Sequence, residues 1–298
     1  MANDLGDAIS RATTNLDTIL NIDTRTADLN MNQDLLGEFT GNGEIQIPLL
    51  DMDGLGDKVR GGGFTPGGLK LDWYTMKLEF EREREFEIDV LDDEERELIV
   101  SVNAMAEFAR NKVVPEVDAI RFARLCANAG TTVSAALTTA DATAKAVETA
   151  EAAMEDIGVE LSQCILYLTS ATRLMLRQAQ PYQIGQGEAP NTIFQTFDGM
   201  KMVTVPLDRF YTAIDLADGR STGEKEGGYS KNKDAKGINF MVVHPSACGA
   251  ITKHKKLRYF TPDQHQKDET HLWQYRLYHD LLVYKNQKPK IYLHAKTA

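Results

Sequence analysis

Residues 76–90 alternate without a break between two kinds of side chain. Met76, Leu78, Phe80, Arg82, Arg84, Phe86, Ile88 and Val90 fall on one side. Lys77, Glu79, Glu81, Glu83, Glu85, Glu87 and Asp89 fall on the other. A period of two belongs to a β-strand that is covered on one face and wet on the other. An unbroken strand of this length spans roughly 45–50 Å, against the usual ~17–20 Å. A small core cannot cover it. Residues 44–50, Glu-Ile-Gln-Ile-Pro-Leu-Leu, are its expected partner. The stretches 51–56 and 61–68 between them, the second carrying Phe64, read as the glycine-rich tip of a long hairpin. Two-stranded hairpins are marginal alone in water, so the apolar face is expected to rest on another subunit. The alternative is an ordinary sheet strand with a decorated solvent face.

Arg82 and Arg84 interrupt the apolar side of this strand. Each can lie with its stem buried and its guanidinium in water. The sharper expectation is that both pair with carboxylates of a neighbouring subunit, where the planar fork suits bidentate contacts. Glu79, Glu81, Glu83 and Glu85 form a row of like charge that resists burial unless basic groups meet it. The cluster Lys253, Lys255, Lys256 and Arg258 reads either as a solvated loop or as a neighbour's docking surface for that row.

The 298 residues suggest about two domains, and 42% hydrophobic residues leave ample material for a core. A net charge of −11 argues against a general nucleic-acid binder. No run of about 18 apolar residues is present, so no membrane span is expected, and the first residues lack the pattern of a signal peptide. Cys126, Cys164 and Cys248 are widely spaced among apolar or small residues, which favours buried thiols over a disulfide framework. Residues 1–42 are polar, with too few apolar positions for a core of their own. They read as an arm that becomes ordered on a partner.

Beyond the hairpin, Asp92–Glu95 suit the start of a helix, with Leu98, Val102, Met105 and Ala109 at helical spacing. Pro115 is expected to break or bend it before a second helical run ending at Gly130. Another helix opens at Thr138 to Asp141 and closes at Gly158. Strands are expected at 164–168, 199–205 and 238–243, a helix at 170–178, and a short helical turn at 244–247. Residues 219–237 read as a mobile surface loop. Two strands joined through 286–289 end the chain.

Chemistry-bearing motifs are scarce. The six histidines include no His-x3-His pair and the cysteines no Cys-x2-Cys pair, so no metal is expected. Tyr278-His279-Asp280 are adjacent on a strand and point to opposite faces, so a structural role is expected for His279. Ser246 lacks the G-x-S-x-G turn, and the glycine clusters match neither phosphate nor dinucleotide loops. No catalytic residue and no cofactor are expected.

Five stretches, in order, resemble the major capsid proteins of tailed bacteriophages, whose shell fold is named after phage Hong Kong 97. They are 54–57 (GLGD), 84–95 (REFEIDVLDDEE), 114–125 (VPEVDAIRFARL), 238–247 (INFMVVHPSA) and 275–280 (YRLYHD). The resemblance implies an α+β fold with an N-terminal arm at 1–42 and an extended β-hairpin loop at 43–91. A peripheral domain with a long spine helix, starting near Asp93, follows at 92–159. An axial domain at 160–272 and return strands of the peripheral domain at 273–298 complete it. It also implies a homo-oligomer of hexamers and pentamers forming a closed icosahedral shell. That shell holds double-stranded DNA without sequence-specific binding, in a virion assembled in the host bacterial cytoplasm. A portal protein would be a partner, and the short arm implies a separate scaffolding protein. An encapsulin-like nanocompartment shell is the runner-up in the same fold. A hydrolase built on 160–270 is the alternative from another class.

Overall fold

The computed structural model describes residues 24–31, 44–58, 60, 64–89, 105–179, 184–189, 192–265 and 270–297. Its strands are β1 (Glu44–Met52), β2 (Leu69–Lys77), β3 (Phe80–Asp89), β4 (Thr131–Ser134), β5 (Ile165–Leu168), β6 (Ile184–Ala189), β7 (Thr192–Phe197), β8 (Met200–Thr204), β9 (Ile214–Leu216), β10 (Tyr229–Lys231), β11 (Ile238–Val243), β12 (Cys248–Phe260), β13 (Thr270–Val283) and β14 (Ile291–Ala295). The α-helices are α1 (Val114–Ala127), α2 (Ala140–Glu155) and α3 (Ser170–Ala179). Among the described residues no helix is long and apolar enough to cross a membrane.

The period-two stretch is two strands. β2 pairs with β1 from Met52↔Leu69 to Glu44↔Lys77, making the hairpin. β3 leaves it and pairs with β13, in a three-stranded sheet of order β12-β13-β3. The expected partnership of 44–50 with 76–90 is therefore corrected: residues 71–77 pair with 44–50, and of the expected strand only Met76 and Lys77 take part. The switch falls at Leu78 and Glu79, which belong to neither strand. Leu78, 1% exposed, packs with Ile251 and Leu282, and its carbonyl accepts from the Tyr278 hydroxyl at 2.9 Å. The Glu79 N–H goes to Asp280 Oδ2 at 3.1 Å instead of to a strand. The alternation runs through this joint because inward and outward sides are kept, so spacing alone does not reveal it.

The inner face of the three-stranded sheet lies on a helical run from Met105 onward. Phe86, Ile88, Trp273, Tyr275, Leu277 and Leu257 meet Met105, Ala109, Val113, Val114 and Val117. Phe108 contacts Phe86 and Tyr275 edge-on at 4.8 and 6.0 Å. Pro115 does not interrupt this run. Ala109–Val113 adopt a π-helical turn immediately before it and lead directly into α1. The wider turn absorbs the missing N–H and the ring clash that proline brings to an α-helix. The first part of the expected spine helix, near Asp93, lies outside the described residues.

A seven-stranded sheet of order β4-β14-β11-β5-β8-β7-β6 forms the other layer. Its central strands bury both faces: every residue of 165–168 and 238–243 is buried, and all but Asn239 are apolar. Leu166, Leu168, Phe240, Val242 and Tyr292 face α2 and α3 through Ala144, Val147, Ala150, Met154 and Leu176. Ile165, Tyr167, Met241, Val243, Ile291 and Leu293 face α1 through Phe122 and Leu125. Thr139 caps α2 by accepting from the Ala142 N–H at 3.2 Å, and Gly158, at φ +74°, follows its end.

Packing divides the chain differently from the expected boundaries 92–159, 160–272 and 273–298. α2 joins the seven-stranded layer, β12 returns to the three-stranded sheet, and β14 sits second from one edge of the seven-stranded one, between β4 and β11. These crossings depend on which sheet a strand joins, and local composition does not carry that choice. β13 and β14, expected as two joined strands, thus belong to different sheets.

Residues 24–31 correct the expectation of an arm ordered only by a partner. Leu29 is buried in the main core, and Asn30 bridges to Ala250 beside β12. Asp118 of α1, fully buried, accepts from the Arg25 and Thr26 N–H groups at 3.0 and 3.2 Å and from Thr26 Oγ1 at 2.8 Å. Arg209 Nη1 donates to the same carboxylate at 3.3 Å, while Arg121 donates to Thr26 O and Oγ1. The rest of the 1–42 arm lies outside the described residues.

Glu151 of α2 is 7% exposed, and its Oε1 has no hydrogen-bond partner. Burial first, then the charges of Asp198, Glu148 and Glu155, push its carboxyl up to about 8 from an ordinary 4.5. The folded state thus keeps a proton that the unfolded chain releases above about pH 4.5. Subunit stability should fall as pH rises from about 4.5 to about 8, and the deficit should persist above that. Glu151→Gln is expected to remove this slope and to raise stability at pH 8 by about 1–3 kcal/mol, with little effect at pH 4. Urea unfolding at the two pH values checks this; equal gains at both would locate the effect elsewhere.

Candidate intersubunit surface

The hairpin presents large apolar side chains to solvent. Met52, Leu55, Phe64, Leu69, Leu71 and Trp73 are all exposed, Phe64 at 93% and Trp73 at 59%. At the base of the loop Asp53 Oδ2 accepts from the Gly68 N–H at 2.6 Å, and Lys58 stands 4.9 Å above the Phe64 ring. Leu69, Leu71 and Trp73 alternate in the sequence as clearly as residues 80–88.

On β3 the two-faced pattern holds. The glutamates point to solvent, and three of them have partners within the chain: Glu81 pairs with Arg276 and Glu83 with Arg220 at 2.8 Å, while Glu85 accepts from Gln274 Nε2 at 2.6 Å; Glu79, at the joint before the strand, pairs with Arg124. On the inner face Arg82 reaches Glu116 of α1 at 2.5 Å through Nε and donates to Gly228 O at 3.2 Å. Arg84 donates to Lys225 O at 3.1 Å. Its guanidinium fits between Gly219 and Gly227, at φ +72° and +66°; a Cβ on Gly219 would stand 3.2 Å from Arg84 Nη1.

Both arginines therefore find partners in their own chain. The 219–237 segment, expected as a mobile loop, is fastened over them and carries β10, which pairs with β9. Arg82→Glu would set two carboxylates against each other beside α1 and is expected to cost the subunit about 1–3 kcal/mol. Arg84→Glu, at a more exposed contact, should cost under about 1 kcal/mol. Thermal unfolding of the two single variants separates them; equal losses would show that the Glu116 pair is not what holds Arg82.

Lys253, Lys255, Lys256 and Arg258 stand on strand β12, not on a loop. Lys253 lies 5.8 Å from the Tyr278 ring centroid, and Lys255 is half-buried. Lys256 and Arg258 are exposed on the same side of the sheet as Glu83 and Glu85.

The histidines and cysteines form no reactive arrangement among the described residues. His279 is buried beside Phe80, and burial, with Arg121 and Arg82 nearby, pushes it down to about 3, so it stays neutral. Asp280, its neighbour, is held by Arg124 and by the Glu79 and Leu281 N–H groups. Cys126, Cys164 and Cys248 are free thiols, and burial pushes Cys164 up to about 11 and Cys248 up to about 12. His244 accepts from Ser246 Oγ at 2.7 Å and from the Ser246 N–H, capping the turn at Pro245–Ala247.

No protein-family model and no curated protein matches the sequence. Solved structures do. The capsid structure of cyanophage P-SCSP1u superposes with a TM-score of 0.61 at 14% identity, over 87% of this chain and 85% of that one. A structure from Gordonia phage Cozz gives a TM-score of 0.59 at 13% identity, over 94% and 86%. The virus-like particle from Pyrococcus furiosus gives 0.50 at 10% identity, over 96% and 98%. At such identities the likeness is one of fold. This chain has the Hong Kong 97-type shell fold, an α+β architecture with an extended hairpin.

Proposed function

We propose that this chain is the major capsid protein of a tailed bacteriophage, assembling as hexamers and pentamers into the icosahedral shell of the virion. The observation that carries the proposal is the exposed apolar hairpin on a shell fold. A monomer gains nothing by holding Phe64, Leu71 and Trp73 in water, whereas burying each against a neighbour stabilises the assembly by about 1.5–3 kcal/mol. The apolar hairpin residues and the charged faces of β3 and β12 are thus the proposed intersubunit contacts. The role is structural, with no catalytic step. Double-stranded DNA would be enclosed without sequence-specific contacts, in keeping with a net charge of −11 that offers no general attraction to phosphates. A scaffolding protein and a portal protein are the proposed assembly partners, and the host cytoplasm the place of assembly.

The likeness to the Pyrococcus furiosus virus-like particle favours one second reading, an encapsulin-like compartment. The contents of purified particles separate the two. Nuclease-protected double-stranded DNA in particles from infected cells supports the capsid. Particles that hold a protein cargo and no DNA support the compartment.

A further inference from the structure

The outer face of the three-stranded sheet is electrically polar across its width. Strand registry sets Glu83, Arg276 and Lys256 in one row, and Glu85, Gln274 and Arg258 in the next. The acids stand on β3 and the bases on β12, and these are the two terminal strands of the sheet. Middle-strand Arg276 leans toward the acids, reaching Glu81. Lys256 and Arg258 are exposed, with no carboxylate partner among the described residues. The two edges lie about 10 Å apart, two strand spacings. That equals or exceeds the screening length at physiological salt, so the edges scarcely neutralise each other within one chain. Arg220 meets Glu83 within the chain, but Glu85 has only the neutral Gln274 beside it, so the charge of Glu85 and that of the β12 edge are left to complement something outside.

We infer that the acidic β3 edge of one copy meets the basic β12 edge of the next, head to tail. The inference rests on the shell reading above and names the partner of that surface as a second copy of this chain. A contact between different patches propagates around a ring instead of closing on itself as a dimer. The same polarity disfavours the reversed neighbour, which would set acid against acid.

Two charge-reversed variants test this. The first is Glu83→Lys with Glu85→Lys, whose two edges are then both basic. The second is Lys256→Glu with Arg258→Glu, whose two edges are both acidic. Each alone is expected to form at least tenfold fewer particles than the parent at physiological salt, while keeping its circular dichroism. Mixed in equal amounts the two should form hexamers again, because every contact in an alternating six-membered ring is then complementary, whereas a five-membered ring keeps at least one like-charged contact. A third variant, Glu85→Cys with Arg258→Cys, should crosslink under oxidation into a ladder reaching pentamer and hexamer.

Full assembly of either charge variant alone overturns the inference. So does a mixture that recovers no hexamers while the parent assembles, and so does a crosslinked ladder that stops at dimer. A parent that forms no particles even with its scaffolding protein present overturns the shell reading, and the inference with it.

Discussion

Asp118→Ala is expected to destabilise the isolated subunit by about 3–5 kcal/mol, the largest effect of any single replacement considered. The carboxylate is fully buried and satisfies four donors: the Arg25 and Thr26 N–H groups, the Thr26 hydroxyl and the Arg209 guanidinium. Without it, Arg209 loses its buried counter-charge, and Arg121, also buried, loses the carboxylate that favours its charged form. Residues 24–31 lose the anchor that ties them to α1. Asp118→Asn keeps the shape but at most part of the bonding, and should cost less. Urea unfolding followed by tryptophan fluorescence measures both. A loss below about 1 kcal/mol for the alanine variant would mean that the segment is held by Leu29 and the Ala250 bridge alone.

The second large effect is expected on assembly, with the subunit itself almost unchanged. Phe64→Ser, Leu71→Ser and Trp73→Ser combined remove three apolar groups that touch little within the chain. Subunit stability should move by no more than about 0.5 kcal/mol per site. Shell formation should collapse, because about 5–9 kcal/mol of burial per subunit contact is withdrawn. Sedimentation of the variant beside its unfolding curve reads the two quantities separately. Normal particle yield would show the hairpin to be a passive projection.

Much of the fold is legible in the sequence where a residue's neighbours along the chain decide its place. The two-faced β3, the buried runs of β5 and β11, the capped start of α2 and the turn at Pro245–Ala247 all follow from local spacing and chemistry. The joint at Leu78 and Glu79 does not. Its cause is the pocket formed by Ile251 and Leu282 and the acceptor on Asp280, about 200 positions away. The π-helical turn before Pro115 is hidden in the same way, since a proline inside a helical pattern reads as a stop until a packed sheet holds the helix together.

The candidate surface was half visible. Its acids and bases stand out in the sequence, and the structure places both on one face of one sheet. The partners of Arg82 and Arg84 were out of reach, because Glu116 and the 219–237 segment approach them only once α1 and the β9–β10 ribbon are in place. The 24–31 clasp was missed for a related reason. A segment with a single buried leucine looks coreless, and its hold comes from polar contacts to a carboxylate in a distant helix.

The central claim, that this chain builds a closed shell, is tested most directly by electron microscopy and sedimentation of the protein co-expressed with its assembly partners. Uniform closed particles of megadalton mass, with five- and six-fold clusters of this chain, are the expected result. A compact monomer or dimer under every condition, including with the scaffolding protein present, would contradict it.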